Sequence, residues 1–528
     1  MTPGYLTRRH FLAATTALAG TVALGGAPAF AQAAKSGGKL NYAVNETIDA
    51  FDPLVTNATI VRTMHSHLFE SLYTFDAKFG LIPELARGLD VSADGKTWTF
   101  PLIEGVRFHN DATMVADDVV ASWERFLKLS RLAKTVGAGV SKVHAPDERT
   151  VVFEFSAEPG PFLEKLSAPH AAFKIYPRSI VEAAGDQPLK DDQFIGTGPF
   201  KLKEWRRGEA LVMERAPNYR VDERYPGPDG LGGRRTAYLD EVVWNFVSEQ
   251  GTQEAGLRSG RFDLADSVPP ELRASIEGTA GFAGTILKPL NWINTMVNHH
   301  NPPMDDPRIR RAVQIGIDRE MVMFGTLGDP EMIRLSPSLA FEEQVWASKA
   351  GAEFYKTDKD EARKLIAEAG YANQEIVLMT TRTLDKLYKS AVLIQQELQG
   401  IGLNVRLEVL DWAALLAHIT GAELRPKWHL SSMEHSVRHD PSGWDLNFRS
   451  DKWTPYANPK MDSLLDDISR LREFKPRYAA FEGVQQIFHE DVVSIKIGDY
   501  FGWHAHRADV KGYKSFNGSV FWDVWLDR

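Results

Sequence analysis

Residues 375–410 read EIVLMTTRTLDKLYKSAVLIQQELQGIGLNVRLEVL, and their periodicity gives the clearest indication of the fold class. Its first apolar run, Glu375 to Met379, is compact and predicts a strand. A helical stripe follows and ends at Gly400: Leu387, Ala391, Ile394 and Leu398. The second strand is predicted by strict alternation with polar residues: Leu403, Val405, Leu407 and Val409.

The segments on either side extend this pattern to β-α-β-α-β, with a further helix in front of it. That helix is predicted to begin at Asp358, with Glu361 completing a capping-box-like pair, and to stop at Gly370. A short helix from Asp411 to about His418 leads to a third strand near Trp428 to Met433. Three strands joined in this way are most simply parallel, with right-handed crossovers. The sequence therefore predicts an α/β fold.

Ligands of open α/β sheets bind outside the carboxyl ends of the strands. The polar and aromatic residues that follow the three predicted strands are Arg382, Asp411, Trp412, Glu434 and His435. Each has a structural alternative. Asp411 can cap the helix that it precedes, Trp412 can pack against the sheet, and Arg382 can form a surface ion pair.

The first residues resemble an export signal. Thr7-Arg8-Arg9-His10-Phe11-Leu12 opens a weakly polar, uncharged run, and small residues end it near Ala31. Paired arginines before such a run are typical of the twin-arginine route. We therefore expect residues 1–31 to be removed and the protein to work in a bacterial periplasm. Because the chain has no cysteine, we expect neither disulfides nor a lipid anchor.

Composition narrows the class of protein further. The formal net charge of −9 argues against nucleic acid as a partner. Beyond the signal we find no uninterrupted apolar run of the ~18 residues that a membrane-spanning helix needs. No G-x-S-x-G, H-E-x-x-H or P-loop motif is present.

Other elements are predicted from the first half of the chain. A strand from Leu40 to Val44 ends at Asn45-Glu46, and Asp94-Gly95 marks a hairpin turn before Thr97–Phe100. A helix is predicted from Asp117 to Phe126. Thr150 to Phe155 alternates and predicts another strand.

Several ordered runs of sequence resemble one known family. They are His67–Leu72, Pro83–Ala86, Asp94–Phe100, Gly105–His109, Ala116–Val120, Gly196–Phe200, Tyr238–Val242, Leu257–Asp263, Ile309–Ala312 and Ile317–Arg319. Together they resemble the extracytoplasmic solute-binding proteins of the dipeptide, oligopeptide and nickel ABC importers. Each run alone is weak, but the ordered set is specific and covers nearly all of the chain after the signal.

The resemblance implies a two-lobed periplasmic binding protein type II fold with an extra α+β subdomain inserted in the first lobe. Lobe I would comprise residues 32–75, 195–289 and 495–528. The inserted subdomain would span 76–194, and lobe II 290–494. Two crossover strands would join the lobes, with hinges near Leu287–Asn294 and Ser494–Gly498.

The resemblance also implies ligand contacts in the cleft between the lobes. The residues predicted to bind ligand are Arg382, Glu434, His435, Trp412, Asp440, Asn45 and Glu46. Related peptide binders often hold the peptide carboxylate with an Arg, and Arg382 lies where that residue is expected, allowing one gap. They often hold the amino group with an Asp three residues before an Asp-Pro pair. Here that position is Val437, which argues against a free α-amino ligand. The segment Glu434–His439 is instead mixed and partly basic, and together with Arg382 it suits an anionic or polyhydroxylated ligand.

The predicted function is capture of a peptide or similar small polar solute by hinge closure, and delivery to the permease of an ABC importer. The protein is expected to be monomeric and to need no cofactor, no metal and no catalysis. Two alternatives remain open. One is a receptor of the same family for a metal or metallophore, or for an opine-like or sugar-like solute; the other is an exported hydrolase with a carboxylate pair.

Overall fold

The computed structural model describes residues 33–56, 58–516 and 518–528. The predicted twin-arginine signal and its cleavage site lie outside the described residues. Within those ranges no helix combines the length and the apolar character required to cross a bilayer.

The strands are numbered in chain order. Up to residue 265 they are β1 (Lys39–Val44), β2 (Tyr73–Phe75), β3 (Leu81–Pro83), β4 (Asp90–Val91), β5 (Thr97–Pro101), β6 (Val140–Asp147), β7 (Thr150–Phe155), β8 (Phe200–Arg206), β9 (Ala210–Arg215), β10 (Pro228–Asp229), β11 (Gly232–Gly233), β12 (Glu241–Phe246) and β13 (Leu264–Ala265). The others are β14 (Phe282–Val297), β15 (Ile333–Arg334), β16 (Ile376–Thr381), β17 (Val405–Leu410), β18 (Leu430–Ser436), β19 (Ser494–Arg507), β20 (Val510–Lys511), β21 (Lys514–Ser515), β22 (Ser519–Val520) and β23 (Trp525–Leu526).

The helices are numbered in the same way. They are α1 (Thr59–Leu68), α2 (Ala116–Leu129), α3 (Ala133–Val136), α4 (Phe162–Ser167), α5 (Arg178–Ala184), α6 (Gln250–Ser259), α7 (Arg273–Glu277), α8 (Pro307–Gly316), α9 (Arg319–Leu327), α10 (Lys359–Glu368), α11 (Asp385–Gly400), α12 (Trp412–Thr420), α13 (Asp445–Phe448), α14 (Pro459–Arg470) and α15 (Phe474–Glu490).

One large mixed sheet dominates the described part of the chain. Its strand order is β17-β16-β18-β14-β19-β13-β1-β12-β9-β8, with β15 paired to β19 outside this path. The pairs β16–β17 and β16–β18 are parallel, as the β-α-β-α-β pattern predicted. The α/β prediction is therefore confirmed, and β18 is the strand of this unit that lies beside β14.

Two long strands, β14 and β19, lie between two halves of this sheet. One half contains β16, β17 and β18, and the other contains β1, β8, β9, β12 and β13. β14 pairs with β19 at Phe282–Leu287 in one half and at Asn291–Met296 in the other. The pairing register shifts between Leu287 and Asn291, so residues 288–290 form an irregular segment at the junction of the halves. A bulge of this kind bends a strand and breaks the regular ladder.

The predicted N-caps of the helix before β16 and of the helix after β17 are confirmed. The side chain of Asp358 accepts a hydrogen bond from the backbone N–H of Glu361 at 3.0 Å and starts α10. Asp411 accepts from the N–H of Ala414 at 2.9 Å and starts α12. These bonds satisfy N–H groups that a helix cannot satisfy within itself.

The predicted hairpin, helix and strand in residues 90–155 are confirmed as β4–β5, α2 and β7. Together with β6 they form a separate antiparallel sheet in the order β4-β5-β7-β6. This sheet has its own apolar core, which includes Trp98, Trp123 and Phe153. A different core lies between α14 and α15 and includes Trp444, Phe481 and Phe488.

Candidate functional site

A cavity of about 600 Å³ lies at the junction of the two halves of the large sheet. The irregular segment of β14 contributes Pro289 and Leu290 to its wall. Residues that follow β18 face it from one half, and residues from β1, α1 and the C-terminal segment face it from the other. The volume falls in the range of about 300–1,000 Å³ that is typical of small-molecule sites.

Helix α1 presents a polar stripe to this cavity. Its lining residues Thr59, Arg62, Thr63 and Ser66 recur at helical spacing and therefore share one face. The other side of the helix, with Val61, Met64 and Leu68, is buried in the core. Burial of that apolar face fixes the helix, and so the polar stripe is held toward the cavity.

Three arginines from separate segments line the same cavity: Arg62 on α1, Arg131 just after α2, and Arg438 just after β18. We call Arg62, Arg131 and Arg438 the arginine cluster. Burial and Arg131 lower the pKa of Arg62, and desolvation lowers the pKa of Arg438. His170 also lines the cavity, and burial together with these three arginines lowers its pKa to about 4. At neutral pH His170 is therefore uncharged, and the cluster supplies the positive charge.

Asp266 follows β13 and supplies a carboxylate to the same cavity. Its Oδ1 accepts hydrogen bonds from the backbone N–H of Asn45 at 3.0 Å and from Nε2 of Gln253 at 3.2 Å. The hydroxyl of Tyr42 donates to Oδ2 at 3.4 Å. Burial outweighs these hydrogen bonds, each of which favours the charged form, and raises the pKa of Asp266 to about 7.

A chain of buried hydroxyl and imidazole groups is connected to Asp266 through the hydroxyl of Tyr42. Ser519 donates to the Tyr42 hydroxyl at 3.0 Å, and Ser519 and Tyr513 are joined at 2.9 Å. The Tyr513 hydroxyl lies 2.7 Å from Nδ1 of His504. Because the members are fixed by one another, Tyr42 and Asp266 are held in a defined orientation at the cavity wall.

Replacing Asp266 by asparagine is expected to flatten the pH dependence of stability. The raised pKa means that the folded state holds a proton which the unfolded state releases at a lower pH. The contribution of Asp266 to the free energy of unfolding is therefore fully present below pH ~4, the unfolded pKa of an aspartate, and is lost as the pH rises through about 7. Each pKa unit corresponds to about 1.4 kcal/mol. Thermal unfolding of both proteins from pH 4 to 8 measures the difference, and parallel curves would contradict it.

Glu46 is the one residue of the seven predicted ligand contacts that the described wall of the cavity includes. It lies on the turn after β1, where burial raises its pKa and Arg62 opposes the rise. Asn45 lies beside it, and its backbone N–H holds Asp266. The carboxyl end of β1 is therefore part of the site.

Glu434 and His435 lie within β18, not after it as the sequence suggested. The strand continues to Ser436 because it pairs with β14 as far as Asn291. Glu434 accepts a hydrogen bond from the Tyr500 hydroxyl at 2.5 Å, and that hydroxyl also accepts from Asn291 of the cavity wall at 2.8 Å. His435 is buried against Trp292 and Trp444, and burial lowers its pKa to about 3.

Asp440 is engaged by protein groups. Its Oδ1 caps the short 3-10 helix Pro441–Trp444 by accepting from the N–H of Ser442 at 2.9 Å. Both of its carboxylate oxygens accept from Nη2 of Arg477 at 2.7 Å. This carboxylate is therefore part of the scaffold next to the cavity.

Arg382 follows β16, and Trp412 follows β17. In the sheet, β18 lies next to β14, β16 is the second strand from β14, and β17 is the third. Arg382 is exposed, and its guanidinium lies 4.5 Å from the Tyr388 ring centre and donates to the Tyr388 hydroxyl at 2.9 Å. Trp412 packs beside the core of this half. Adjacent strands are about 4.8 Å apart, and neither residue belongs to the described wall of the cavity. Their contact with ligand stays a prediction.

Of the charged residues in the wall, only Glu46 was predicted from the sequence as a ligand contact. A signal existed for Arg62, since the polar residues 59, 62, 63 and 66 follow the period of a helix. Arg131 and Asp266 carry no local signal. Val437, which replaces the expected aspartate, lines the cavity and packs near Phe75 and Phe516.

His435 and His439 are four residues apart in the sequence, a spacing that can hold a metal ion on a helix, but they do not form a metal site in the part of the chain that the structure describes. Within it, no group of three or more His, Cys, Asp or Glu side chains is placed to hold a metal ion. His435 packs between two tryptophans, whereas His439 packs between Phe75 and Phe79.

Comparisons with known proteins identify the family of this chain. The sequence profile of the bacterial extracellular solute-binding proteins, family 5 (middle), matches residues 80–454. A probable peptide ABC transporter periplasmic-binding protein from Sinorhizobium fredii is 27% identical over 394 residues, which cover 73% of this chain and 73% of that protein. The glutathione-binding protein GsiB from Escherichia coli O1:K1 is 24% identical over 528 residues, covering 94% and 95%.

The fold is also found among solved structures. The crystal structure of the ABC transporter substrate-binding protein CtaP from Listeria monocytogenes superposes with a TM-score of 0.80 at 22% identity. The match covers 94% of this chain and 100% of that one. At this identity the likeness concerns the fold.

Proposed function

The chain belongs to the bacterial extracellular solute-binding proteins of family 5, and on that basis we propose that it captures a peptide or similar small polar solute for an ABC importer. The cavity of about 600 Å³ at the junction of the two sheet halves carries this proposal. It has the size of a small-molecule site, and its wall combines a few fixed charges with apolar surface.

Capture occurs by closure of the two halves around the solute. β14 and β19 are the strands that join them, and residues 288–290 of β14 break the regular pairing at the junction. We propose the hinges at Leu287–Asn294 and Ser494–Gly498, and the lobe boundaries given above. A solute shifts the population toward the closed form only if it binds that form more tightly. Groups from both sides of the cavity provide that difference.

The relatives named above bind peptides or glutathione, according to their names. For this chain we propose a solute of that size. Val437 occupies the position where related binders often hold an α-amino group, and an apolar side chain cannot compensate a buried ammonium. The carboxylates that line the cavity are Glu46 and Asp266, so any cationic group of the solute would lie at that end.

The working location is proposed to be the periplasm, reached by the twin-arginine route and without a lipid anchor. The loaded, monomeric protein would then dock on permease subunits at the inner membrane. No step requires bond breaking. Incubation of the pure protein with labelled peptides and glycans distinguishes a receptor from a hydrolase, because a receptor binds stoichiometrically and releases its ligand unchanged.

Filling the cavity is expected to abolish binding without unfolding the protein. Ser436 lines the cavity and is exposed, so tryptophan at this position occupies space that the solute needs. Ser436→Trp should retain the unfolding temperature of the unaltered protein and lose the solute that co-purifies from the periplasm. Native mass spectrometry and calorimetry measure both.

Ser179→Trp is the matched control, because Ser179 is exposed on α5 outside the cavity wall. It should bind solute as the unaltered protein does. Undiminished binding by Ser436→Trp would show that the ligand lies elsewhere. Metal analysis of the same preparations distinguishes a metal complex from a metal-free peptide, opine-like or sugar-like solute.

A further inference from the structure

The charges that line the cavity do not balance. Among the described residues of its wall there are three cations, Arg62, Arg131 and Arg438, against at most two anions, Glu46 and Asp266. The protein as a whole has a formal net charge of −9, so this local excess of positive charge opposes the overall composition. Positive charge in a cavity attracts anionic solutes and disfavours cationic ones.

The wall histidines do not change this balance. Burial lowers the pKa of His170 to about 4, and of His439 and His504 to about 3. All three are neutral at pH 7. A proton on Asp266 would make the cavity more positive still, since burial raises the pKa of this group.

The protein does not neutralise the whole arginine cluster internally. Within the described chain neither Arg131 nor Arg438 forms an ion pair with a carboxylate. Arg131 is exposed at the cavity, and Arg438 lies 5.2 Å from the Trp444 ring centre and donates to the amide oxygen of Asn447 at 3.4 Å. Guanidinium groups bind carboxylates through paired, charge-assisted hydrogen bonds.

The cluster is also divided across the cavity. Arg62 and Arg131 belong to the half that contains β1 and its attached small sheet, whereas Arg438 follows β18 of the other half. An anion held by all three would therefore join the halves. Without it, closure brings like charges together in a space from which water is excluded, which is costly.

We propose that the solute is a small peptide-like molecule with two or more carboxylates, which the arginine cluster binds from both sides of the cavity. This inference rests on the proposed function. The remainder of the solute extends toward Tyr42 and Asp266, where hydroxyl and carboxyl groups offer hydrogen bonds. Val437 and Leu290 contribute apolar surface to the same wall.

Competition among Ala-Glu-Ala, Ala-Gln-Ala and Ala-Lys-Ala tests this inference, with bound species identified by native mass spectrometry and affinities measured by calorimetry. The acidic tripeptide should be retained in preference to the other two. The solute that co-purifies from the periplasm should contain at least two carboxylates, counted by its mass gain on methyl esterification.

Arg131→Gln should weaken the binding of the acidic ligand about 10- to 100-fold, the loss expected for one hydrogen-bonded charged group. It should weaken the neutral tripeptide less, and Arg131→Lys should restore part of the affinity. Arg87→Gln is the matched control, because Arg87 is exposed on the small-sheet side and lies outside the cavity wall. It should bind as the unaltered protein does.

Each result has a separate meaning. Preference for the neutral or basic tripeptide, or a natural solute with fewer than two carboxylates, would overturn the inference and leave the receptor proposal in place. Equal losses in Arg131→Gln and Arg87→Gln would also overturn it. A protein that retains none of these tripeptides and no periplasmic solute would overturn the proposed function itself.

Discussion

Arg477→Met is expected to lower the free energy of unfolding by about 3–5 kcal/mol, the loss typical of removing one partner from a buried ion pair. Arg477 is 1% exposed and lies on α15. Its guanidinium donates to both oxygens of Asp440 at 2.7 Å and to Oε1 of Glu164 at 3.1 Å. Methionine fills much of the space but removes the guanidinium that both neighbouring carboxylates contact, and Lys165 is then the remaining cation that interacts with them.

The loss should depend on pH in a defined direction. Burial and Asp440 already raise the pKa of Glu164, and Arg477 opposes that rise. Without Arg477 the pKa rises further above the unfolded value. The variant is therefore least impaired at low pH, where the carboxyl is protonated in both states, and loses more stability as the pH rises through the folded pKa. Denaturant unfolding at pH 5 and pH 8 measures this.

The same substitution should weaken ligand binding, because the ion pair connects two separate cores. Glu164 belongs to α4, which packs on the small-sheet core, and Arg477 belongs to α15 in the core with Phe488. Arg472→Met is the matched control: Arg472 is 35% exposed and pairs with Glu158 and Glu473 at the surface. Its loss should be under about 1 kcal/mol. Equal losses in the two variants would refute the argument from burial.

Asp499→Asn should produce a loss of similar size, about 3–5 kcal/mol, with the opposite pH dependence. Asp499 and Lys496 are both fully buried on β19, and Nζ of Lys496 lies 2.7 Å from Oδ1 of Asp499. Nε of Arg334 donates to Oδ2 at 3.1 Å. Asparagine keeps the shape of the side chain but leaves a buried ammonium without its carboxylate.

Burial already lowers the pKa of Lys496, and Asp499 opposes that effect. In Asp499→Asn the pKa of Lys496 falls further below its unfolded value, so the folded state binds fewer protons than the unfolded state. Stability of the variant should therefore rise with pH until the pH reaches the unfolded lysine pKa of about 10.4, above which Lys496 is neutral in both states. Unfolding curves at about pH 7 and about pH 9.5, both below the ordinary lysine pKa, measure this rise in the free energy of unfolding.

A double variant distinguishes loss of a counter-ion from loss of shape. Lys496→Met with Asp499→Leu removes both charges, and replacing a buried pair by apolar residues is often neutral. Arg334 retains Glu343, to which it donates at 2.9 and 2.8 Å. The double variant should recover most of the stability that Asp499→Asn loses. If it is less stable than the single variant, the pair contributes through its geometry and not through its charge.

Much of the fold could be predicted because the deciding signals are local. Apolar periodicity located β16, α11 and β17, and single carboxylates at Asp358 and Asp411 set the starts of α10 and α12. A short crossover between parallel strands leaves few topologies, so the relation of β16 to β17 and β18 followed as well. The ordered family runs were equally local, and the match to residues 80–454 confirmed the family.

Which of the predicted residues line the cavity depends on the order of the strands in the folded sheet. The rule for open sheets indicated the carboxyl ends of β16, β17 and β18, but not how far each lies from the cavity. β18 pairs with β14 and ends at the cavity, whereas β16 and β17 are displaced outward by successive strand spacings. Ser436, Val437 and Arg438 therefore line the cavity, whereas Arg382 packs on Tyr388.

The α/β architecture, the family and the order of elements could all be predicted from the amino-acid sequence, because each depends on residues close together in the chain. The sequence by itself did not determine the charge of the cavity. Arg62, Arg131, Asp266 and Arg438 are far apart in sequence and meet only when α1, the small sheet and β18 pack together. Electrostatic interactions depend on distance in space, and that distance is set by packing of the whole chain.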